Sequence, residues 1–69
     1  MAYEYGCIVG MGEHDIIGTK PTIELAKRSC EELQRDWDGT SIDDWHIVGG
    51  ELHGSSEDPG EPWYIREAI

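Results

Sequence analysis

Apolar residues alternate with small or polar residues near the beginning of the chain. In residues 3–11 one face would carry Tyr3, Tyr5, Cys7, Val9 and Met11. A period of two is typical of a strand with one buried face. Gly10 and Gly12 indicate a turn, and residues 14–18 are expected to return as the second strand of a hairpin.

The next segment has the period of a helix. Its apolar stripe, with members three or four positions apart, consists of Ile23, Ala26, Cys30, Leu33 and Trp37. Either Thr19 or Thr22 can cap the free amides at its beginning, and Pro21 suits a first turn because no N–H is needed there. Asp38 and Gly39 supply the terminating turn. These features predict an amphipathic helix that ends near Trp37.

A second pair of strands is predicted at residues 45–48 and 63–66, joined by a polar connection over residues 54–62. Gly49-Gly50 interrupts the first of them. The two glycines form either a bulge or a tight turn, and a turn would make residues 51–53 an additional short strand.

The predicted order of elements, ββαββ, indicates a single α+β domain over residues 1–69. A right-handed crossover through the helix places a strand of the second pair parallel to the first strand, so we expect a four-stranded mixed sheet. The helix packs on one face, and the other face is left open for a partner. The strand near residues 63–69 is apolar enough to pair with a second copy at a sheet edge, so monomer and homodimer both stay open.

Charge narrows the class of function. Fifteen acidic residues against five basic ones give a net charge of −10 and a pI near 4.4. This charge repels phosphate backbones and anionic lipid headgroups, which argues against direct binding to nucleic acid or a membrane. The chain has no basic amino-terminal region and no apolar run of the roughly 18 residues that a membrane span needs. We therefore expect a cytoplasmic protein.

Two cysteines, Cys7 and Cys30, are too few for the disulfide framework of a small secreted domain. They are expected to be reduced and buried. A bridge between a strand and the packed side of a helix is geometrically possible on oxidation, so that alternative stays open.

Motifs for catalysis and for metal binding are weak. The serines lack the context of an activated nucleophile, and 69 residues leave little room for a water-excluding cleft, so we expect no enzyme. The acidic turn near Gly39 lacks both end ligands of a calcium loop. His14, His46 and His53 have no zinc-ligand spacing and are expected to be solvated or to lie on strand faces. No cofactor or metal is predicted, and metal binding is kept as a third hypothesis.

The most informative feature is an unfavourable pattern of charge at the end of the helix. A helix carboxyl terminus prefers basic residues, but acids follow this one and flank two tryptophans. Aromatic anchors within an acidic rim suit a basic protein surface. The residues predicted to bind a partner are Trp37, Asp38, Asp43, Asp44, Trp45 and Glu51.

The whole-chain layout resembles the small, acidic, single-domain accessory proteins encoded by phages of actinobacteria. The resemblance lies in the short aromatic strand, the Thr/Pro-started helix and the closing Pro62-Trp63 strand with Arg66 near its end. It implies a protein made in a bacterial cytoplasm that binds and often inhibits a host or phage protein. It assigns no functional residue.

DNA mimicry is the alternative to a protein-interaction module. A second acidic set, if continuous with the first, would space charge along one face as a duplex backbone does. That set consists of Glu51, Glu57, Asp58, Glu61 and Glu67. Such a protein would compete with DNA for a DNA-binding or defence protein.

Overall fold

The computed structural model describes residues 2–39, 41–55 and 62–68. The elements are β1 (Ala2–Val9), β2 (Glu13–Lys20), α1 (Ile23–Asp38), β3 (Asp44–Val48), β4 (Glu51–Ser55) and β5 (Trp63–Ala68). The α+β class with a single helix is confirmed for these residues. The strand count is corrected from four to five.

The sheet is antiparallel throughout, in the order β2-β1-β5-β4-β3. The prediction of a mixed sheet was wrong. It expected a strand of the second pair to lie parallel to β1, whereas β5 lies beside β1 in the antiparallel direction. Helix α1 carries the chain from the β2 edge to the opposite edge of the sheet. Two reversals then bring β5 back to the middle, antiparallel to both β1 and β4.

The central position of β5 removes most of the predicted self-pairing edge. Residues 63–65 of β5 are bonded on both sides, to β1 and to β4, so this part of the strand offers no free edge. The edges of the described sheet are β2 and β3.

Gly49 and Gly50 form a tight turn. Their φ angles are 57° and 85°, the left-handed region that favours glycine, and Val48 pairs directly with Glu51 across the turn. Of the two alternatives, the turn is therefore the one found, and the additional strand is β4.

The β1–β2 hairpin contains a bulge. Tyr5 pairs with Gly18 and Gly6 pairs with Ile16, so Ile17 is the extra residue on β2. The two strands approach so closely here that a Cβ on Gly6 would overlap the carbonyl oxygen of Asp15. A bulge bends its strand and increases the local twist, so it curves this side of the sheet.

Local chemistry explains the limits of α1. The Leu25 N–H donates to Thr22 Oγ1 at 3.2 Å, and Gly39, with φ 71°, donates its N–H to the Arg35 carbonyl at 2.8 Å. The predicted cap and the predicted terminating turn are thus confirmed, although Pro21 precedes the cap instead of occupying the first turn.

The core lies between α1 and one face of the sheet. Ala26 and Cys30 of the helix are fully buried, and the sheet contributes Tyr5, Cys7, Trp63 and Ile65. Ile42, in the segment before β3, is buried in the same core. Met11, which was expected to continue the apolar face of β1, is fully exposed because the chain has already turned.

Both cysteines are buried thiols that form no disulfide, as predicted. Burial, with smaller contributions from Cys7 and Glu31, raises the pKa of the Cys30 thiol to about 12. The thiolate is the reactive form, so Cys30 is a packing residue at neutral pH.

Within the described part of the chain, no helix has the length and apolar character needed to cross a membrane.

Candidate functional site

Trp37 is the most exposed aromatic ring among the residues predicted to bind a partner. It lies near the end of α1, is 61% exposed, and stacks on Trp63 with ring centroids 5.4 Å apart and an interplanar angle of 26°. Trp63 is only 2% exposed, and its Nε1 donates to Gln34 Oε1 at 2.9 Å. Trp37 is therefore the outer ring of a stack whose inner ring belongs to the core.

Asp43 and Trp45 lie at the same end of the sheet as this stack. Trp63 pairs with Gly54, and Gly54 pairs with Trp45, which puts the backbones of the two tryptophans two strand spacings, or about 10 Å, apart. Asp43 is exposed, and its N–H donates to the Ser55 carbonyl at 3.2 Å. We call Trp37, Asp43 and Trp45 the Trp37 surface.

Trp45 has a structural role as well. It is half-buried against the core, and a Cβ on Gly54 would come within 2.7 Å of its ring. Lys27 Nζ lies 5.8 Å from the ring centroid, in a cation–π contact. Part of this indole is therefore already covered within the chain.

The other residues predicted to bind a partner are divided by the fold. Asp38 is the last residue of α1, and its side chain lies outside the described residues. Asp44 is exposed, but its Oδ2 lies 3.4 Å from His46 Nδ1 on the face opposite Trp45. Glu51 also lies on that opposite face, where it contacts His14 and His53.

The face of the sheet opposite α1 is not open at its centre, contrary to expectation. Tyr64 is completely buried there. Its hydroxyl donates to Glu4 Oε2 at 2.9 Å, and Arg66 Nε donates to the same oxygen at 2.6 Å. Burial, followed by the hydrogen bond to Glu4, raises the pKa of Tyr64 above its ordinary value, so the hydroxyl stays a donor.

Glu51 is the centre of a second polar group on this face. Its Oε1 accepts hydrogen bonds from His14 Nε2 at 2.8 Å and from His53 Nε2 at 2.9 Å, while Oε2 accepts one from Arg66 Nη1 at 3.3 Å. We call His14, Glu51 and His53 the histidine cluster. Their side chains are 24%, 20% and 17% exposed.

The environment keeps Glu51 ionised. Burial alone would raise its pKa, but the hydrogen bonds from His53 and His14, with a smaller contribution from Arg66, lower the pKa to about 2. An ionised carboxylate can only accept hydrogen bonds, so each histidine must carry its proton on Nε2 in this arrangement.

The fold brings the cluster together across four strands. Glu51 and His53 are two residues apart on β4, so they share a face, whereas His14 comes from β2. In a flat sheet β2 and β4 would be three strand spacings, or about 14 Å, apart. The contact between His14 and Glu51 therefore requires a curved sheet, and the bulge in β2 is a feature that bends a strand. The ring of His14 packs edge-on against Tyr64, with centroids 4.4 Å apart.

Sequence spacing did not indicate this cluster. His14 and Glu51 are separated by 37 positions in the chain. They belong to the same sheet because β5 pairs with both β1 and β4 and so joins the two hairpins. The available local clue was the pair Glu51 and His53, whose spacing of two puts both side chains on one face of a strand.

Comparison with known proteins finds no matching family model, no matching curated protein and no matching solved structure. The resemblance to phage accessory proteins therefore stays a prediction.

Proposed function

We propose that this protein is a non-catalytic interaction module that docks on a basic surface of a partner protein through the Trp37 surface and modulates that partner, most simply by inhibiting it. The observation that supports the proposal is the exposed Trp37 ring held against the buried Trp63. A large ring that is already positioned loses little conformational freedom on binding, and such rings dominate binding energies at interfaces.

Charge supports a basic partner. The chain carries −10 overall, and Asp36 and Asp43 are exposed near the carboxyl end of α1, which has a partial negative charge of its own. Complementary charge raises the rate of association and selects against acidic partners. Lys27 lies in a cation–π contact with Trp45, with its Nζ 5.8 Å from the ring centroid.

The resemblance to phage accessory proteins supports a setting for this activity. In that setting the protein is made in a bacterial cytoplasm and binds a host or phage protein, as a monomer or a homodimer. The edges available for self-association in the described sheet are β2 and β3.

The test is capture of a partner from bacterial lysate by the purified chain, with mass spectrometry of what is bound at low and at high salt. We expect one stoichiometric partner for the unmodified chain and its loss for the double variant Trp37→Ala/Asp43→Lys. Trp45 is left intact because truncating a half-buried ring would confuse binding with folding.

The matched control is Leu25→Ala/Glu24→Lys, which also removes one exposed apolar side chain and reverses one exposed acid, but at the opposite end of α1. The control should retain the partner, and circular dichroism should show both double variants folded. Equal capture by the two double variants would remove the Trp37 surface from the interface.

DNA mimicry is weakened by the placement of its acids. Glu51 is engaged by His14 and His53 on the face opposite α1, whereas the register puts Glu67 on the same face as Tyr3. Glu57, Asp58 and Glu61 lie outside the described residues. Capture of a salt-sensitive set of nucleic-acid-binding proteins, all displaced by duplex DNA, would favour mimicry over docking.

A further inference from the structure

We propose that His14, Glu51 and His53 form a binding site for a divalent transition-metal ion with the preferences of Zn²⁺. The proposal is independent of docking through the Trp37 surface, which uses other residues on another part of the molecule. It stands on the convergence of two imidazole nitrogens and one carboxylate oxygen, all within 4.8 Å of one another.

The distances are close to those of a zinc site. Both Nε2 atoms already face Glu51 Oε1, at 2.8 and 2.9 Å. Ligand atoms about 2.0–2.1 Å from a tetrahedral ion lie about 3.3 Å from each other, so an ion would separate these pairs by about 0.4–0.5 Å. Small rotations of three partly exposed side chains can supply that change. Each imidazole then carries its proton on Nδ1 and presents the Nε2 lone pair to the ion.

The donor set selects the class of metal. Imidazole nitrogen with carboxylate oxygen suits Zn²⁺ and its divalent transition-metal neighbours, such as Co²⁺. Ca²⁺ requires six to eight oxygen ligands, and the cluster offers one carboxylate. Three protein ligands leave a fourth position for water or for a group of a bound molecule.

Neighbouring side chains orient the Glu51 carboxylate and offset the positive charge of Arg66. Arg66 Nη1 holds Glu51 Oε2 at 3.3 Å, which turns Oε1 toward the two histidines. Arg66 is itself paired with Glu4 through its Nε at 2.6 Å. Because Glu4 offsets the guanidinium charge, the second carboxylate, Glu51, supplies the negative charge that a cation needs.

His46 provides a matched control on the same face. It pairs with His53 across β3 and β4, but the two ring centroids are 6.4 Å apart and the His46 side chain is 50% exposed. His46 is outside the group of converging ligand atoms. Its substitution removes one histidine from the chain without removing a proposed ligand.

The experiment uses the tag-free chain, freed of metal by dialysis against a chelator and titrated with ZnCl₂ by isothermal titration calorimetry. We expect one Zn²⁺ per chain. Loss of a residue that only supports a metal ligand lowers metal affinity about 10–100-fold, so loss of a ligand itself should cost no less. We therefore expect a reduction of at least that size for the near-isosteric variants His53→Gln and Glu51→Gln. His46→Gln should leave the affinity unchanged.

Nuclear magnetic resonance of the unmodified chain makes the test independent of how the variants fold. ZnCl₂ should shift the imidazole resonances of His14 and His53 and leave those of His46 in place, while CaCl₂ should shift none of them. CoCl₂ should produce visible absorption bands that report the coordination geometry.

Three outcomes would overturn the proposal. The first is the absence of saturable Zn²⁺ binding, and the second is equal affinity for the unmodified chain and for both cluster variants, which indicates scattered binding to surface carboxylates. The third is an imidazole shift confined to His46.

Discussion

The two faces of the sheet bury aromatic rings in different ways. On the face beneath α1, Trp63 and Ile65 are 2% exposed and are covered by an apolar helix surface. On the opposite face Tyr64 is completely buried, although no helix among the described residues covers it. Its cover is polar, because Glu4 and Arg66 bond around its hydroxyl and His14 packs against its ring.

The difference shows how a chain with 38% apolar residues can pack both sides of a sheet with one helix. The helix face is stabilised by the removal of apolar area from water, which tolerates small changes in direction. The opposite face depends on hydrogen bonds between charged groups, which require definite geometry. That geometry also puts ligand-type atoms in fixed positions, so the polar face carries the proposed metal site.

The largest expected effect is on the helix face. Trp63→Ala should lower the free energy of unfolding by about 3–5 kcal/mol, because it opens a core cavity and removes the donor to Gln34. Urea unfolding followed by circular dichroism measures this loss. Trp37→Ala removes the same side chain from an exposed position and should cost only the stacking, about 0.5–1.5 kcal/mol. Similar losses for the two variants would contradict the division into an inner and an outer ring.

An intermediate effect is expected on the polar face. Glu4→Gln removes the charge that accepts hydrogen bonds from Tyr64 and Arg66, and should cost about 1.5–3 kcal/mol in the same measurement at low salt. Glu24→Gln, an exposed helix residue, is the control and should cost little. High salt should shrink the Glu4→Gln loss and leave that of Trp63→Ala in place, since salt screens partly exposed charge. If salt does not change the loss of unfolding free energy in Glu4→Gln, that loss comes from packing and not from charge.

The smallest effect of the three is expected for Tyr64→Phe. The ring that fills the centre of the polar face is kept, and Glu4 keeps its bond to Arg66, so the loss should be about 1 kcal/mol. In a double-mutant cycle, Tyr64→Phe should cost less when Glu4→Gln is already present, because the two residues share one hydrogen bond. Strict additivity would mean that the hydroxyl acts independently of Glu4.

Local features were predictable because their causes lie within a few residues. The cap at Thr22, the left-handed Gly39 and the apolar stripe of α1 are all short-range chemistry. The alternation in β1 likewise assigned Tyr5 and Cys7 to the buried face, as found. The same reasoning placed Trp37 near the end of the helix. It left open whether Gly49-Gly50 forms a turn or a bulge, because glycine suits both conformations.

The arrangement of the strands was not accessible in this way. The crossover rule gives the handedness of a connection between two parallel strands. It does not predict that a helix will take the chain across the whole sheet before two further reversals bring it back. The predicted binding set failed to include His14 for the same reason, because its contact with Glu51 depends on the order of the strands. His53 was also left out, although its spacing of two from Glu51 on β4 puts both side chains on one face.

By itself, the sequence determined the class of this protein: a strongly acidic α+β fold with a capped amphipathic helix, buried thiols and an aromatic residue near the helix end. These follow from composition and from periodicities that act over one or two turns. Tertiary structure alone decided that β5 is central, that Tyr64 is buried beneath charged side chains, and that His14 meets Glu51 and His53. The physical reason is that strand order and sheet curvature set which distant residues touch, and both depend on the balance of packing over the whole chain.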